Sequence, residues 1–169
     1  KDVPGDVRAL YIFGTNLYDT NLKINYADEA EIDRASKIYP QYFNNGRKEW
    51  MKEQVKKNPK LPASDCSGME VGYLREHKLV SNTFDTTANN LCSNSYSTEI
   101  SKSALEPGDF IGKSGHIGTY VGGGYVVEFA GGAYGCQITT VDERLCYDFI
   151  KKKIVKLGNW TKFRKPKWY

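Results

Sequence analysis

The apolar positions of this chain change period once. Up to about residue 91 they recur at helical spacing, and from about residue 110 they alternate. In "YADEAEIDRASKIYP" (26–40), Ile32, Ala35, Ile38 and Tyr39 form one stripe, acids fill the first turn and Pro40 stops the run, which predicts a helix. "GRKEWMKEQVKKNP" (46–59) places Trp50, Met51, Gln54 and Val55 on one side and predicts a second. "NPKLPAS" (58–64) reads as loop. Behind it, Ser64 or Asp65 can accept the orphan N–H groups of a third helix running to about His77, with Val71, Tyr73 and Leu74 on its apolar side. "DTTANNL" (85–91) predicts a short capped helix. "VRALYIFGT" (7–15) fits either a helix end or a short strand.

The second half reads differently. Pro107-Gly108 makes a turn into a strand in "LEPGDFIG" (105–112). "HIGTYVG" (116–122) and "YVVEFAG" (125–131) are strands joined across Gly122, Gly123 and Gly124, and "CQITTVD" (136–142) is a third. The triglycine precedes no helix, so it reads as a hairpin turn and not a phosphate cradle. "KKKIVKLG" (151–158) and "NWTKF" (159–163) supply two more strands. Helices followed by an antiparallel meander predict an α+β fold. No repeat or low-complexity linker interrupts the 169 residues, so they read as one domain with an elaborated front half.

Composition, 40% hydrophobic and 26% charged, excludes a disordered or collagen-like chain. No run of 18 apolar residues is present, which excludes a membrane-spanning helix, and no signal peptide is visible. The chain opens on Lys1, as a trimmed product or excised domain would. Charge is uneven: Lys151 to Tyr169 holds eight Lys or Arg and no acid, which leaves sixteen bases against twenty acids before it. With Trp160, Phe163, Trp168 and Tyr169 interleaved, such a tail suits an anionic wall polymer; it lacks any nucleic-acid motif. A closing strand with apolar residues inward and lysines outward accounts for the same composition.

Four cysteines (Cys66, Cys92, Cys136, Cys146) include no C-x-x-C pair, and there are only two histidines, so a structural zinc site is not expected. One bridge among Cys92, Cys136 and Cys146 is compatible with a free Cys66. That thiol is the notable one. "SDCSGMEVGYLREH" (64–77) sets it at a helix start, where the dipole lowers a thiol pKa. Core packing is the plainer account of a lone cysteine. His77 falls near the helix C-terminus and reads as a surface residue. His116 starts a strand beside Gly115, and Glu128 lies twelve residues on, in the next strand. An odd connecting loop, as three glycines give, puts both on one face. Glu128 also interrupts the apolar "VVEFA", and an acid there needs a partner. A thiol, an imidazole and an orienting acid make a cysteine nucleophile, with N–H groups at the helix start as an oxyanion hole.

"DCSGMEVGYL" followed by "EPGDFIGKSGHIGTYVGGGYVVEFAGG" resembles the NlpC/P60 family of papain-like cysteine peptidases, which cut bacterial cell-wall peptides. The matching pieces are Asp65 to Gly68, Gly108-Asp109, His116 to Tyr120, and Glu128, in order, within residues 63–142. The third residue is often His in the family; Glu can still orient the base. The family's Tyr-x-x-Gly-Gly stretch finds its nearest match in "YIFGT", Tyr11 to Thr15, over fifty residues upstream of the cysteine. This implies a helical insertion over about 20–60, as in phage-borne lysins of Gram-positive hosts.

The resemblance implies a papain-like fold, with N-terminal helices packed on an antiparallel sheet of five to six strands and closing strands over 143–169. It implies Cys66, His116 and Glu128 as the catalytic set, Tyr11, Asp65, Ser67 and Gly115 beside the substrate, and no cofactor or metal. The expected activity is hydrolysis of a peptidoglycan stem-peptide amide at D-glutamate, most often γ-D-Glu to a diamino acid. It would act at the bacterial wall, after release at lysis from a host cytoplasm or after secretion. Two alternatives stand beside it: an N-acetylmuramoyl-L-alanine amidase of the same chemistry, separable by product analysis, and a non-catalytic wall-binding module, which an unreactive Cys66 would favour. A secreted toxin would carry the same triad.

Overall fold

Each helix begins where the local sequence stops extended chain. In the computed structural model, which describes residues 5–169, Asp28 caps α1 (Glu29–Ile38) by accepting the Glu31 N–H. Gly46, at φ 80°, turns the chain into α2 (Arg47–Lys57). Asp65 caps α3 (Cys66–Glu76) through the Gly68 N–H, and Thr87 caps α4 (Ala88–Leu91) through that of Asn90. These caps satisfy donors that a helix start leaves unpaired. Ile32 and Ala35 are buried on α1, but Ile38, expected in the same stripe, is 60% exposed because the helix ends on it. Met51 and Val55 are buried on α2, and Val71 and Leu74 on α3; Tyr73 faces outward.

The first two helices keep their own core. Their buried residues pack with Leu10, Ile12, Leu61 and Ala63. Leu10 belongs to β1 (Leu10–Tyr11), which pairs in parallel with β2 (Ala63–Ser64). Segment 7–15 therefore contains a short strand, and the end of "NPKLPAS" is strand where loop was expected. Two-residue strands are too short to show a period, and this pair is held by partners fifty residues away. It brackets the expected insertion: chain leaves at Tyr11 and returns at Ala63, directly before α3.

The main sheet contains β3 (Ser97–Glu99), β4 (Phe110–Lys113), β5 (His116–Gly122), β6 (Tyr125–Phe129) and β7 (Cys136–Thr140). Then β8 (Leu145–Asp148) and β9 (Lys153–Lys156) form a separate antiparallel hairpin, so "KKKIVKLG" does not extend the main sheet as expected. The last strand, β10 (Lys162–Pro166), inserts between β3 and β4. The six-stranded order is β3-β10-β4-β5-β6-β7, antiparallel throughout. The molecule is thus α+β, with four α-helices among the described residues.

One sheet face meets α3 and α4: Phe110, Ile117 and Phe129 pack with Leu74, Leu91 and Cys66. The other holds Ile111, Val126 and Trp160, with Leu105, Val141 and Phe163 against them. Strand β10 accounts for part of the basic tail. Its Lys165 points out to Glu106, while Arg164 is buried and donates to Ser97 and to the Asn94 side chain. Cys66, Cys92 and Cys136 are free thiols, so the bridge considered among the last three cysteines is not formed. Among the described residues no helix is long and apolar enough to cross a membrane.

Candidate active site

The N-terminus of α3 is anchored by one carboxylate. Asp65 Oδ1 accepts the Gly68 N–H at 2.8 Å and the Ser67 hydroxyl at 3.2 Å, and Oδ2 accepts the Gly14 N–H at 2.9 Å. Both oxygens are thereby committed to the chain itself. Gly68 fits because a Cβ there would lie 2.2 Å from the Thr15 carbonyl oxygen. The helix start therefore seats against the turn after β1, and this brings Tyr11 to the site. Tyr11 shares a buried cluster with Cys66, and its hydroxyl lies beside that thiol. Burial first, then Cys66 and Asp65, raise the Tyr11 pKa.

A cleft of about 470 Å³ runs over this corner. Cys66, Ser67, Asp65 and Gly115 line one side, and Phe13 and Tyr42 another. The Phe13 and Tyr42 rings are stacked 3.9 Å apart. Tyr42 comes from the connection between α1 and α2, so the expected insertion supplies part of the cleft wall.

Cys66 is 6% exposed, and its Sγ donates to the Gly115 carbonyl at 3.9 Å. The expected depressed thiol is not what this environment produces. Burial, then the Asp65 and Glu70 carboxyls, push the Cys66 thiol up to about 12, against the pull of the Ile117 and Ser67 N–H groups. One helix terminus does not offset desolvation plus two nearby acids. This environment favours the protonated thiol over the thiolate.

Gly115 is held in turn by Asn89 of α4, whose side-chain oxygen accepts the Gly115 N–H at 2.8 Å. His116 follows directly. Its Nε2 meets Glu128 Oε2 at 2.6 Å. The two share a face because Thr119 pairs with Val127, so that Gly118 lies opposite Glu128. The hairpin achieves this differently from a three-glycine loop. The loop is Gly123-Gly124, both at positive φ, and an irregularity between Tyr120 and Gly122 takes up the odd residue. Gly118 leaves room for the acid, since a Cβ there would lie 3.2 Å from Glu128 Cβ and 2.9 Å from the Val127 carbonyl.

Glu128 is fully buried yet saturated with donors. Oε1 accepts from Thr139 at 2.7 Å and from Arg144 Nε at 3.0 Å; Oε2 accepts from Arg144 Nη2 at 2.5 Å as well as facing His116. Burial pushes this carboxyl up, but the His116 and Arg144 hydrogen bonds outweigh it and hold it down at about 2. Trp160 completes the packing. Its ring stacks on His116 at 5.5 Å between centroids, and the Arg144 guanidinium lies 4.4 Å over the same ring. Trp160 thus packs against both partners of Glu128, His116 and Arg144.

The structure brings His116 and Glu128 together, and it seats Cys66, Tyr11, Asp65, Ser67 and Gly115 at one corner. No hydrogen bond joins Cys66 to the His116 ring; the thiol reaches the residue before it. His77 is far from this chemistry, stacked on Tyr73 and paired with Glu76. Among the described residues no group of three or more His, Cys, Asp and Glu could hold a metal ion.

Arg144, Thr139 and Asn89 were not singled out from sequence, and Trp160 was read only as part of the basic aromatic tail. Arg144 and Trp160 arrive from 28 and 44 residues beyond His116, outside any local period. Glu70 was also passed over. It carried the signal that marked Glu128: an acid on the buried side of an amphipathic element, between Ser67 and Val71. Set against known proteins, the chain matches no family model and no curated protein.

Proposed function

We propose that this protein is a peptidoglycan hydrolase of the NlpC/P60 type, with a papain-like fold and a Cys66–His116–Glu128 thiol mechanism. The observation that carries the reading is the thiol at a helix start, bonded to the residue preceding an imidazole whose Nε2 is held by a buried carboxylate. With Nε2–H given to Glu128, Nδ1 is the basic nitrogen of His116. A neutral resting thiol means that the proton moves as substrate arrives, not before.

With a stem peptide in the cleft, Nδ1 takes the Sγ proton as the sulfur attacks the amide carbonyl carbon. The C–S bond forms and the oxyanion is met by the Cys66 backbone N–H. His116 passes that proton to the amide nitrogen, the C–N bond breaks and the amine leaves. Water, deprotonated by His116, then attacks the thioester, releasing a carboxylate and restoring the thiol. Glu128 stabilises the imidazolium in both halves. Ser67, Tyr11 and Gly115 border the acyl side of the substrate, and Asp65 acts by holding the helix start in place. The bond expected is γ-D-Glu to the diamino acid. The exposed lysines of the basic tail would meet an anionic wall polymer, which fits action at the bacterial wall.

Digestion of purified peptidoglycan followed by mass spectrometry tests the reading. New amino termini on the diamino acid are expected with the wild type and none with Cys66→Ala. A freed L-alanine amine would reassign the protein as an amidase. Equal wall hydrolysis by Cys66→Ala would end the thiol mechanism.

A further inference from the structure

Glu70 lies one helical turn beyond Cys66 on α3, and it points into the molecule. It is 3% exposed. Oε1 accepts from the Thr119 hydroxyl at 2.8 Å, and Oε2 is buried with no hydrogen-bond partner. Thr119 lies on β5, three residues after His116. The single Glu70–Thr119 bond therefore joins the helix that carries the nucleophile to the strand that carries the base. Odd positions of β5 face α3 and even ones face Glu128, so Thr119 reaches the helix while His116 turns to its acid.

The titratable groups that bear on Glu70 are not cations, although Lys162 and Arg164 of β10 act on one of them, Cys92. Asp65 and Cys66 bear on it from its own helix, Cys92 from the end of α4, Glu128 from β6, Cys136 from β7 and Tyr169 from the C-terminus. All are acids, phenols or thiols, and β5 presents the Thr119 hydroxyl. A carboxylate here would be buried with one neutral donor and an empty oxygen; a carboxylic acid loses far less by burial.

We propose that Glu70 is a positioning residue of this site: as a neutral acid bonded to Thr119, it locks the Cys66 helix against the His116 strand, and ionising it switches the nucleophile off. The geometry sets two separable effects. The hydrogen bond fixes where the thiol sits relative to the base. The proton keeps a negative charge away from a sulfur that must itself become negative. Burial pushes the Glu70 carboxyl up to about 8, against the pull of the Thr119 hydroxyl, so the switch falls just above neutral pH. The assignment rests on the thiol mechanism above for its turnover arm alone.

Two variants test it, each checked for folding by circular dichroism. Glu70→Gln keeps an acceptor for Thr119 and cannot ionise. Its Cys66 should react with iodoacetamide at pH 9 roughly tenfold faster than in the wild type, and at pH 6 at about the same rate. Thr119→Val removes the donor. It should lower kcat for stem-peptide hydrolysis roughly tenfold with KM little changed, and Thr119→Ser should restore it. A Glu70→Gln alkylation profile superimposable on the wild type at every pH overturns the switch, and full kcat in Thr119→Val overturns the lock. Should Thr119→Val fail to fold, the Thr119→Ser and Glu70→Gln profiles decide: a tenfold gain in Glu70→Gln supports the inference, and an unchanged profile sinks it. Alkylation needs no peptidoglycan, so a wild type that labels as expected but cuts no wall peptide removes the proposed function and leaves this inference standing.

Discussion

Glu128 shows how much a single buried charge depends on its neighbours. Four donated or shared hydrogen bonds compensate its desolvation, two of them from the Arg144 fork. Removing the charge leaves Arg144, only 3% exposed, without its counterion. Glu128→Gln is therefore expected to cost about 3–5 kcal/mol of stability, measured by urea unfolding, because breaking one side of a buried pair strands the other. Under the proposed thiol mechanism, the same substitution should reduce kcat by about a hundredfold or more with little change in KM, since the imidazolium would lose its stabilising charge in the transition state. Cys66 makes the opposite point. A thiol at a helix start was expected to be acidic, and burial first, with Asp65 beside it, overrules the helix.

At the scale of elements, close approach does the positioning. Strands β5 and β6 can come together at the base only because Gly118 has no side chain. Gly118→Ala would press a methyl against the Val127 carbonyl and Glu128 Cβ, so we expect a loss of about 1–3 kcal/mol and a clear fall in hydrolysis, seen by thermal melting and turnover assay. What could be read from sequence follows the same division. The helices and the β5–β6 hairpin were legible, because their signals, Pro40 after α1, Asp65 before α3 and the glycines 122–124, sit within a few residues of what they shape. The His116–Glu128 pair was legible for that reason. The β1–β2 pair, the displacement of β9 into its own hairpin and the place of β10 were not, since each depends on a partner distant in the chain. Arg144, and the place of Trp160 beside the imidazole, were invisible for the same cause: no local pattern says which strand end will carry them there.

Across the whole molecule, buried carboxyls tilt stability toward acid. Burial raises Glu31, Asp65 and Glu70, while Glu128 is held down at about 2. A raised acid supports the native state while protonated and loses that support as pH climbs from its unfolded value, 3.8 for Asp65 and 4.5 for the two glutamates, to its folded one. A lowered acid does the reverse, and its support disappears as pH falls from about 4.5 through about 2. Glu70 alone is worth up to about 5 kcal/mol across its window, as a ceiling. The thermal midpoint is therefore expected to peak near pH 4–5 and to decline toward pH 8, and Glu70→Gln should flatten the alkaline side of that curve. Strand β10 carries a consequence of another kind. Among the described residues it comes last in chain order, yet it occupies the interior of the sheet, and Trp160 against the imidazole is delivered by the residues leading into it. During synthesis β3 (Ser97–Glu99) has no strand to pair with until Lys162–Pro166 have emerged. Until that stretch has joined the sheet, the His116–Glu128 pair lacks the indole that covers the imidazole.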